Sequence, residues 1–357
     1  MKARSSRVLV IGCGGIGGVV TGHLAELGVE VHAVSRNPAV IEAIRAGGLR
    51  LTGEGGDRTV PVPVHGEVPP GPFDFVLLAT QPLDVESAAA QAAPALGPEG
   101  RIVCFQNGLC EERVARVLGD RSRVVGGIVA WGASMVEPGL YDRTADGGFV
   151  LGRLDGAADP QVDVLADLLE VIGPVQRTSN LAGARWSKLA LNCAVSSLGT
   201  LNGSALGKVV RQRFARRVAL EIMTEVVHVA QRLDVRLEKV SGTLDLTRIA
   251  LDANPRAGLS LAGKHALILA VGLRYRRMRS SMLRAIEAGR APGVEFLNGE
   301  VASFGERLGV PTPVNARVTE LVLAMGRGEA KPGRALVESL RAVLPTSRGS
   351  KAAVTTP

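Results

Sequence analysis

Short apolar runs alternate with amphipathic stretches through the first half of the chain. Arg7 to Gly17, RVLVIGCGGIG, opens as a strand and passes directly into a glycine-rich turn. Val19 to Leu27 reads as the body of a helix ended by Gly28, and Val29 to Val34 as a second strand. Asn37 to Ala46 has the pattern of a second helix, closed by Gly47 and Gly48. Leu49 to Val64 alternates around Gly53-Glu54-Gly55-Gly56-Asp57, the pattern of a hairpin. Phe73 to Ala79 and Arg101 to Phe105 are predicted as strands, Asp84 to Leu96 and Glu111 to Leu118 as helices. Val124 to Met135 and Gly147 to Leu151 read as further strands. Strand and helix taking turns in this way predict a parallel, doubly wound α/β sheet.

After Pro174 the period changes to that of helices. Helical patterns run over Ala184 to Leu198, Lys208 to Leu233, Leu261 to Leu273, Ser281 to Ala288, Val294 to Leu308, Val314 to Arg327 and Ala335 to Val343. Gly309 follows one of these, and Pro311 and Pro313 precede the next, as helix punctuation requires. The predicted organisation is an α/β Rossmann-type domain over 1–180, an all-helical domain over 181–344 and a frayed polar tail over 345–357.

Composition alters this picture little. Hydrophobic residues make up 46% of the 357-residue chain, enough for two cores, and with aromatics at 3% those cores are built from Val, Leu, Ile and Ala. The formal charge is +8, and only seven of the 42 basic residues are lysines. Arginine clusters at Arg211, Arg213, Arg216 and Arg217, and again at Arg274, Arg276, Arg277 and Arg279. Helical spacing spreads each cluster around a cylinder with little aromatic interleaving, which argues against nucleic acid and for attraction of a small anionic ligand. Cys13, Cys104, Cys110 and Cys193 have no metal-ligand spacing, so free thiols in a reducing cytoplasm and no metal are expected. Met1 to Arg7 is basic and Val8 to Val20 apolar, which mimics a secretory signal, but glycines interrupt the apolar part and no cleavage site follows. No apolar run approaches the ~20 residues of a membrane span.

The glycine turn carries the first chemistry. Gly12-Cys13-Gly14-Gly15-Ile16-Gly17 is a G-x-G-x-x-G motif placed between a strand and a helix, the context that makes a dinucleotide site credible. Gly12 permits the tight turn, Gly14 the approach of a pyrophosphate and Gly17 the packing of helix on strand. An NAD site usually ends its second strand on a carboxylate that holds the ribose 2′-hydroxyl. Here the strand ends in Ser35-Arg36. A guanidinium there can bind a 2′-phosphate, so NADP is expected as cofactor; a solvated loop arginine is the alternative.

The second chemistry lies in Arg185-Trp186-Ser187-Lys188-Leu189-Ala190-Leu191-Asn192. Lys188 and Asn192 are four apart on a helix and share a face, with Ser196 one turn further on. Lysine can lose its proton when burial depresses its pKa, which suits it to acid–base work and which arginine cannot do. A lysine that snorkels to the surface is the alternative.

The chain resembles the ketopantoate reductases (2-dehydropantoate 2-reductases) from Val8 to about Arg327. The resemblance rests on GCGGIG at Gly12, FQNGL at Phe105 to Leu109, WSKLALN at Trp186 to Asn192, and SSML with FLNGEV between Ser280 and Val301. It implies a Rossmann domain, a helical C-terminal domain and NADPH as cofactor. It further implies that Lys188 is the general acid, that Asn192 helps hold the substrate, that Asn107 lies beside the nicotinamide and that Ser281 binds the substrate carboxylate. Ser196, on the same helix face as Asn192 and near a position where the family has asparagine, is expected to join the substrate residues. Read locally, Asn107-Gly108 is also an ordinary turn, and Ser280 or Ser281 an ordinary helix cap. The chain departs from the family where a lysine is usual, at Gln81-Pro82, and where a glutamate is usual, at Gly293. Val240 to Arg274 reads as an insertion.

The expected activity is NADPH-dependent reduction of a 2-oxo acid, a small-molecule carbonyl substrate, by a cytoplasmic oxidoreductase; a homodimer is a candidate assembly. Two other readings stand beside it. One keeps the fold and cofactor but takes a different, bulkier hydroxy or carbonyl compound. The other is a non-catalytic NADPH-sensing protein, since a fold alone does not fix function.

Overall fold

The computed structural model of the chain describes residues 5–53, 56–239, 245–251, 260–274 and 276–345. Of the expected tail, residues 346–357 lie outside the described residues, as do 240–244 and 252–259 of the expected insertion. The chain divides into two compact units, one of Met1–Leu189 with Arg236–Val240 and the other of Ala190–Val235 with Ser241–Pro357.

The first unit follows the alternation expected. Its elements are β1 (Arg7–Ile11), α1 (Gly15–Glu26), β2 (Glu30–Val34), α2 (Pro38–Gly47), β3 (Leu49–Thr52), β4 (Arg58–Val60), β5 (Val64–His65), β6 (Phe73–Leu78), α3 (Val85–Ala92), β7 (Leu96–Cys104), α4 (Glu111–Leu118), β8 (Val124–Val129), β9 (Gly132–Glu137), β10 (Leu140–Ala145), β11 (Phe149–Arg153), α5 (Pro160–Leu169) and β12 (Val175–Arg177). The larger sheet runs β12-β11-β8-β7-β6-β1-β2-β5, all parallel except where β11 meets β8. Val8, Leu9 and Val10 have no exposed surface, which is why β1 reads as an unbroken apolar run rather than an alternating one.

A second sheet, β4-β3-β10-β9, was not part of the expected architecture. The hairpin expected at Leu49 to Val64 supplies β3 and β4, and β10 joins β3 in parallel. The run Val124 to Met135, expected as one strand, is two strands in two sheets. The chain leaves the larger sheet at Trp131, whose buried indole meets Phe149 edge to face. Tyr141 on β10 is fully buried and packs on α1, and its hydroxyl donates to the carbonyl of Cys13 at 3.1 Å. The second sheet thus braces the glycine turn from behind.

Helix α6 (Leu181–Asn202) begins in the first unit, one residue after the expected boundary, and ends in the second. The second unit continues with α7 (Leu206–Arg211), α8 (Arg213–Arg232), α9 (Leu246–Ile249), α10 (Leu261–Arg274), α11 (Ser281–Glu287), α12 (Asn298–Leu308), α13 (Pro313–Gly326) and α14 (Arg334–Glu338). The single helix expected over Lys208 to Leu233 is broken at Gln212, whose backbone is extended. No glycine or proline marks the break; Arg216 makes it tenable by donating to the carbonyls of Val210 and Arg211 at 2.6 and 3.2 Å. Val294–Phe296 forms a 3-10 turn ahead of α12, and Ser339–Val343 another after α14, where continuous helices were expected. Among the described residues no helix is long and apolar enough to cross a membrane.

The interior of the second unit carries a polar chain. Glu225 on α8 accepts from the amides of Val314 and Asn315, each at 2.9 Å, and so caps α13, whose own Thr312 makes no side-chain cap. Asn315 accepts from Asn298 at 2.9 Å, and Asn298 in turn accepts from Ser197 of α6 and donates to the carbonyl of Cys193. Asn298 and Asn315 have no exposed surface.

A Cβ at Gly18 would stand 2.2 Å from the Tyr141 ring. Gly18→Ala is therefore expected to destabilise the protein by about 1–3 kcal/mol through overpacking. Thermal unfolding reads this as a lower midpoint, and an unchanged midpoint would mean that the ring yields freely.

Candidate active site

β7, β6, β1 and β2 are consecutive parallel neighbours, so their C-terminal ends form one edge, where a doubly wound sheet takes its ligands. The glycine turn leaves from β1 at this edge. Gly12 has φ +106°, and a Cβ there would meet the Ala79 and Thr80 backbone at 2.8 Å. At Gly17 a Cβ would fall 1.8 Å from the carbonyl oxygen of Gly12, so helix and strand pack in contact. At Gly15 a Cβ would stand 2.7 Å from the Ala133 carbonyl oxygen, and Ile16 is half-buried.

Gly14 differs. Its φ is −79°, it is exposed, and a Cβ would meet nothing within 4 Å. Neither backbone conformation nor protein packing calls for glycine there. Its bareness leaves open the N-terminus of α1, which no side chain caps and which has no acidic residue in its first turn. Uncapped amides at the positive end of a helix, under a surface without side chains, fit a pyrophosphate. Cys13 turns inward, its Sγ 3.5 Å from the Val34 carbonyl, and burial pushes its thiol up to about 12, so it stays a neutral packing group.

The neighbouring strand ends bring in the other expected cofactor residues. Ser35 is buried, and its hydroxyl accepts from the Asn37 amide at 3.2 Å. Arg36 projects outward, its side chain 73% exposed, and pairs at 2.8 Å with Asp84. Gln81 is exposed at the start of the Pro82–Asp84 turn after β6. Asn107 is exposed beyond β7 and is followed by Gly108 at φ +94°.

What fixes the β7 end was not anticipated. Arg185, 3% exposed, donates to the carbonyls of Cys104 and Gln106 at 2.6 and 2.9 Å and pairs with Glu111, the equally buried first residue of α4. One guanidinium thereby ties α6 to both sides of the loop that carries Asn107. Burial pushes the Glu111 carboxyl up, against the pull of Arg185. The sequence held one signal: an arginine inside an otherwise oily helix start, three residues ahead of Lys188.

Lys188 lies on the next turn of α6. It is half-buried, and its ammonium donates to the Val129 carbonyl at the end of β8, at 2.7 Å. Its pKa is lowered to about 7, chiefly by burial and then by the Arg185 charge, with Glu111 pulling the other way. This is the value wanted of a proton donor at neutral pH.

The expected substrate residues belong to the second unit. Asn192 and Ser196 follow on α6, both half-buried, and the Asn192 amide nitrogen is buried without a hydrogen bond among the described residues. Ser280 is the cap of α11, accepting from the Leu283 amide and bonded to Thr200 at 2.8 Å, while Ser281 is exposed at the first position of the helix. Gly293 has φ +70° and open space where its Cβ would be, and Glu295 is exposed in the turn that follows.

A doubly wound sheet whose glycine turn leaves the N-terminus of α1 bare fits a dinucleotide-dependent oxidoreductase. The family model for ketopantoate reductase PanE/ApbA matches residues 8–156, and that for its C-terminal domain residues 180–326. The chain belongs to the ketopantoate reductase family, which is pyridine-nucleotide-dependent. It is 28% identical over 349 residues to a 2-dehydropantoate 2-reductase of Mesorhizobium japonicum, covering 90% of this chain and 99% of that protein. One from Archaeoglobus fulgidus is 24% identical, over 91% and 99% of the two chains. Among solved structures, a PanE/ApbA family ketopantoate reductase from Ralstonia eutropha JMP134 superimposes with a TM-score of 0.75 at 27% identity, over 90% of this chain and 99% of that one. A D-mandelate dehydrogenase solved with NADH and anilino(oxo)acetate has a TM-score of 0.77 over 90% and 99%; at 20% identity it speaks to the fold alone.

Removing either partner of the Arg185–Glu111 pair leaves the other charge buried and uncompensated. Arg185→Ala and Glu111→Ala are each expected to lower stability by about 3–5 kcal/mol. Urea unfolding checks this, and a loss below about 1 kcal/mol would show that water reaches the pair.

Proposed function

We propose that the protein reduces a 2-oxo acid of the 2-dehydropantoate type to the 2-hydroxy acid, with NADPH as reductant and Lys188 as general acid. The observation that carries this reading is Lys188, an ammonium oriented by the Val129 carbonyl and poised to release its proton near pH 7. The 2-dehydropantoate 2-reductases among the relatives support the substrate class.

The edge formed by Gly12, Cys13, Gly14, Gly15, Ile16 and Gly17 suits the pyrophosphate, with Ser35 and Arg36 toward a 2′-phosphate and Gln81 and Asn107 flanking the nucleotide. When bound, the reduced nicotinamide supplies a hydride to the carbonyl carbon. Lys188, as ammonium, stabilises the negative charge growing on the carbonyl oxygen and gives that oxygen its proton. The neutral amine left behind regains a proton from solvent. A charge placed where the oxyanion develops acts mainly in the transition state, which is what lowers a barrier. Asn192, Ser196 and Ser281 are assigned to holding the substrate.

One observation favours a second reading, the same chemistry on a bulkier hydroxy or carbonyl compound. At Gly293, where the family usually has glutamate, the left-handed glycine leaves open space and no carboxylate. A panel of 2-oxo acids of increasing size, followed by NADPH oxidation, separates the two.

Lys188→Ala is expected to lower kcat by roughly 10²–10⁴-fold, with the Kd for NADPH nearly unchanged; full turnover in that variant would end the proposal. Because the acid form is the active one, kcat for reduction is expected to hold below pH 7 and fall as pH rises through about 7. A kcat–pH profile flat from 6 to 9 would remove Lys188 as the proton donor. Arg36→Ala is expected to weaken NADPH binding and spare NADH; equal losses would refute the choice of NADP.

A further inference from the structure

We propose that Asp84 sets how strongly this protein discriminates NADPH from NADH, by opposing a 2′-phosphate at Arg36. The inference rests on the reading of Arg36 as the phosphate-binding residue and adds a second residue to that site.

The sheet order β6-β1-β2 carries the argument. Arg36 follows β2 and Asp84 follows β6, so the two sit on opposite sides of β1, roughly 10 Å apart at the level of the strands. Their 2.8 Å ion pair therefore crosses the C-terminal end of β1, where the glycine turn begins. Asp84 is not there to finish a helix. It stands at the N-cap position of α3, yet its side chain makes no capping bond. Its carboxylate, 30% exposed, is spent on Arg36.

The consequence is electrostatic. An NAD site places a carboxylate at this corner to accept from the 2′-hydroxyl, and an NADP site places a cation there and keeps carboxylates away. This chain has both, on different strands, and their charges cancel. The pair itself is weak because Arg36 is largely in water, so the arginine can be released. The carboxylate stays within a few ångströms, and a phosphate carrying close to two negative charges is repelled by it. NADH, with a neutral hydroxyl at the same place, meets no such opposition.

The test uses the intact protein and two ligands, NADPH and NADH, titrated by nucleotide fluorescence at 50 mM and 500 mM salt. Asp84→Asn keeps the shape and removes the charge. It is expected to tighten NADPH roughly tenfold at low salt, with NADH changed by less than about twofold, and the gain should shrink at high salt as the charges are screened. An unchanged NADPH to NADH ratio overturns the proposal, as does a gain indifferent to salt. Arg36→Ala separates the two layers. If it weakens NADPH while Asp84→Asn moves nothing, the role of Asp84 fails alone. If Arg36→Ala leaves NADPH binding intact, the phosphate reading fails and takes this inference with it. Asp84→Ser is a second neutral variant, should asparagine disturb the turn.

Discussion

A guanidinium shut away from water must find acceptors for its donors, and Arg185 finds them all at one place in the first unit. Two are carbonyls at the end of β7 and one is the carboxylate that opens α4. This requirement fixes the start of α6 against the sheet to within hydrogen-bond tolerance. Lys188 inherits its position from that anchor, one helical turn later, and its amine meets Val129 as a result. The same anchor sets the electrostatics of the lysine. The Arg185 charge favours loss of its proton and the Glu111 charge opposes it, so the pair acts on Lys188 as a partly neutralised unit.

A related economy governs the glycine turn. Gly12 and Gly17 are glycines because protein backbone occupies the space of their side chains, whereas Gly14 is glycine with nothing of the protein nearby. The first two shape the turn; the third keeps its outer surface clear. The turn is also held from the far side, since the Tyr141 hydroxyl takes the Cys13 carbonyl. The small second sheet therefore belongs to the architecture of the nucleotide edge, which its strand β9 meets at Ala133 against Gly15.

Much of this was legible in the sequence, for physical reasons that can be named. Val8 to Ile11 declare a central strand because both faces are buried, and the glycines beyond declare a turn because spacing and register coincide. Lys188 stood out because lysine is rare here. What stayed hidden depends on pairing across long stretches of chain. The second sheet joins Leu49–Thr52 to Leu140–Ala145, and no local pattern records such a partnership. The break at Gln212 carries no glycine or proline, being made tenable by Arg216 four residues on. Arg185 and Glu111 each read as ordinary charged residues near a helix start, because burial is a property of the fold. Asp84 was hidden for the same reason: the sheet order that brings it to Arg36 is invisible in one dimension.

The polar chain inside the second unit has a consequence of another kind. From Glu225 through Asn315 and Asn298 to Ser197, each member's donors and acceptors are matched to its neighbours on four different helices. Such a chain works like a combination lock. A single apolar replacement orphans a buried partner, whereas a wholly apolar set could pack as well, so no stepwise route of harmless changes leads from one to the other. Substitution at any one of these four positions is therefore costly in a way that substitution at the unit's exposed positions is not. The relative placement of α6, α8, α12 and α13 can outlast wide divergence in the residues around it.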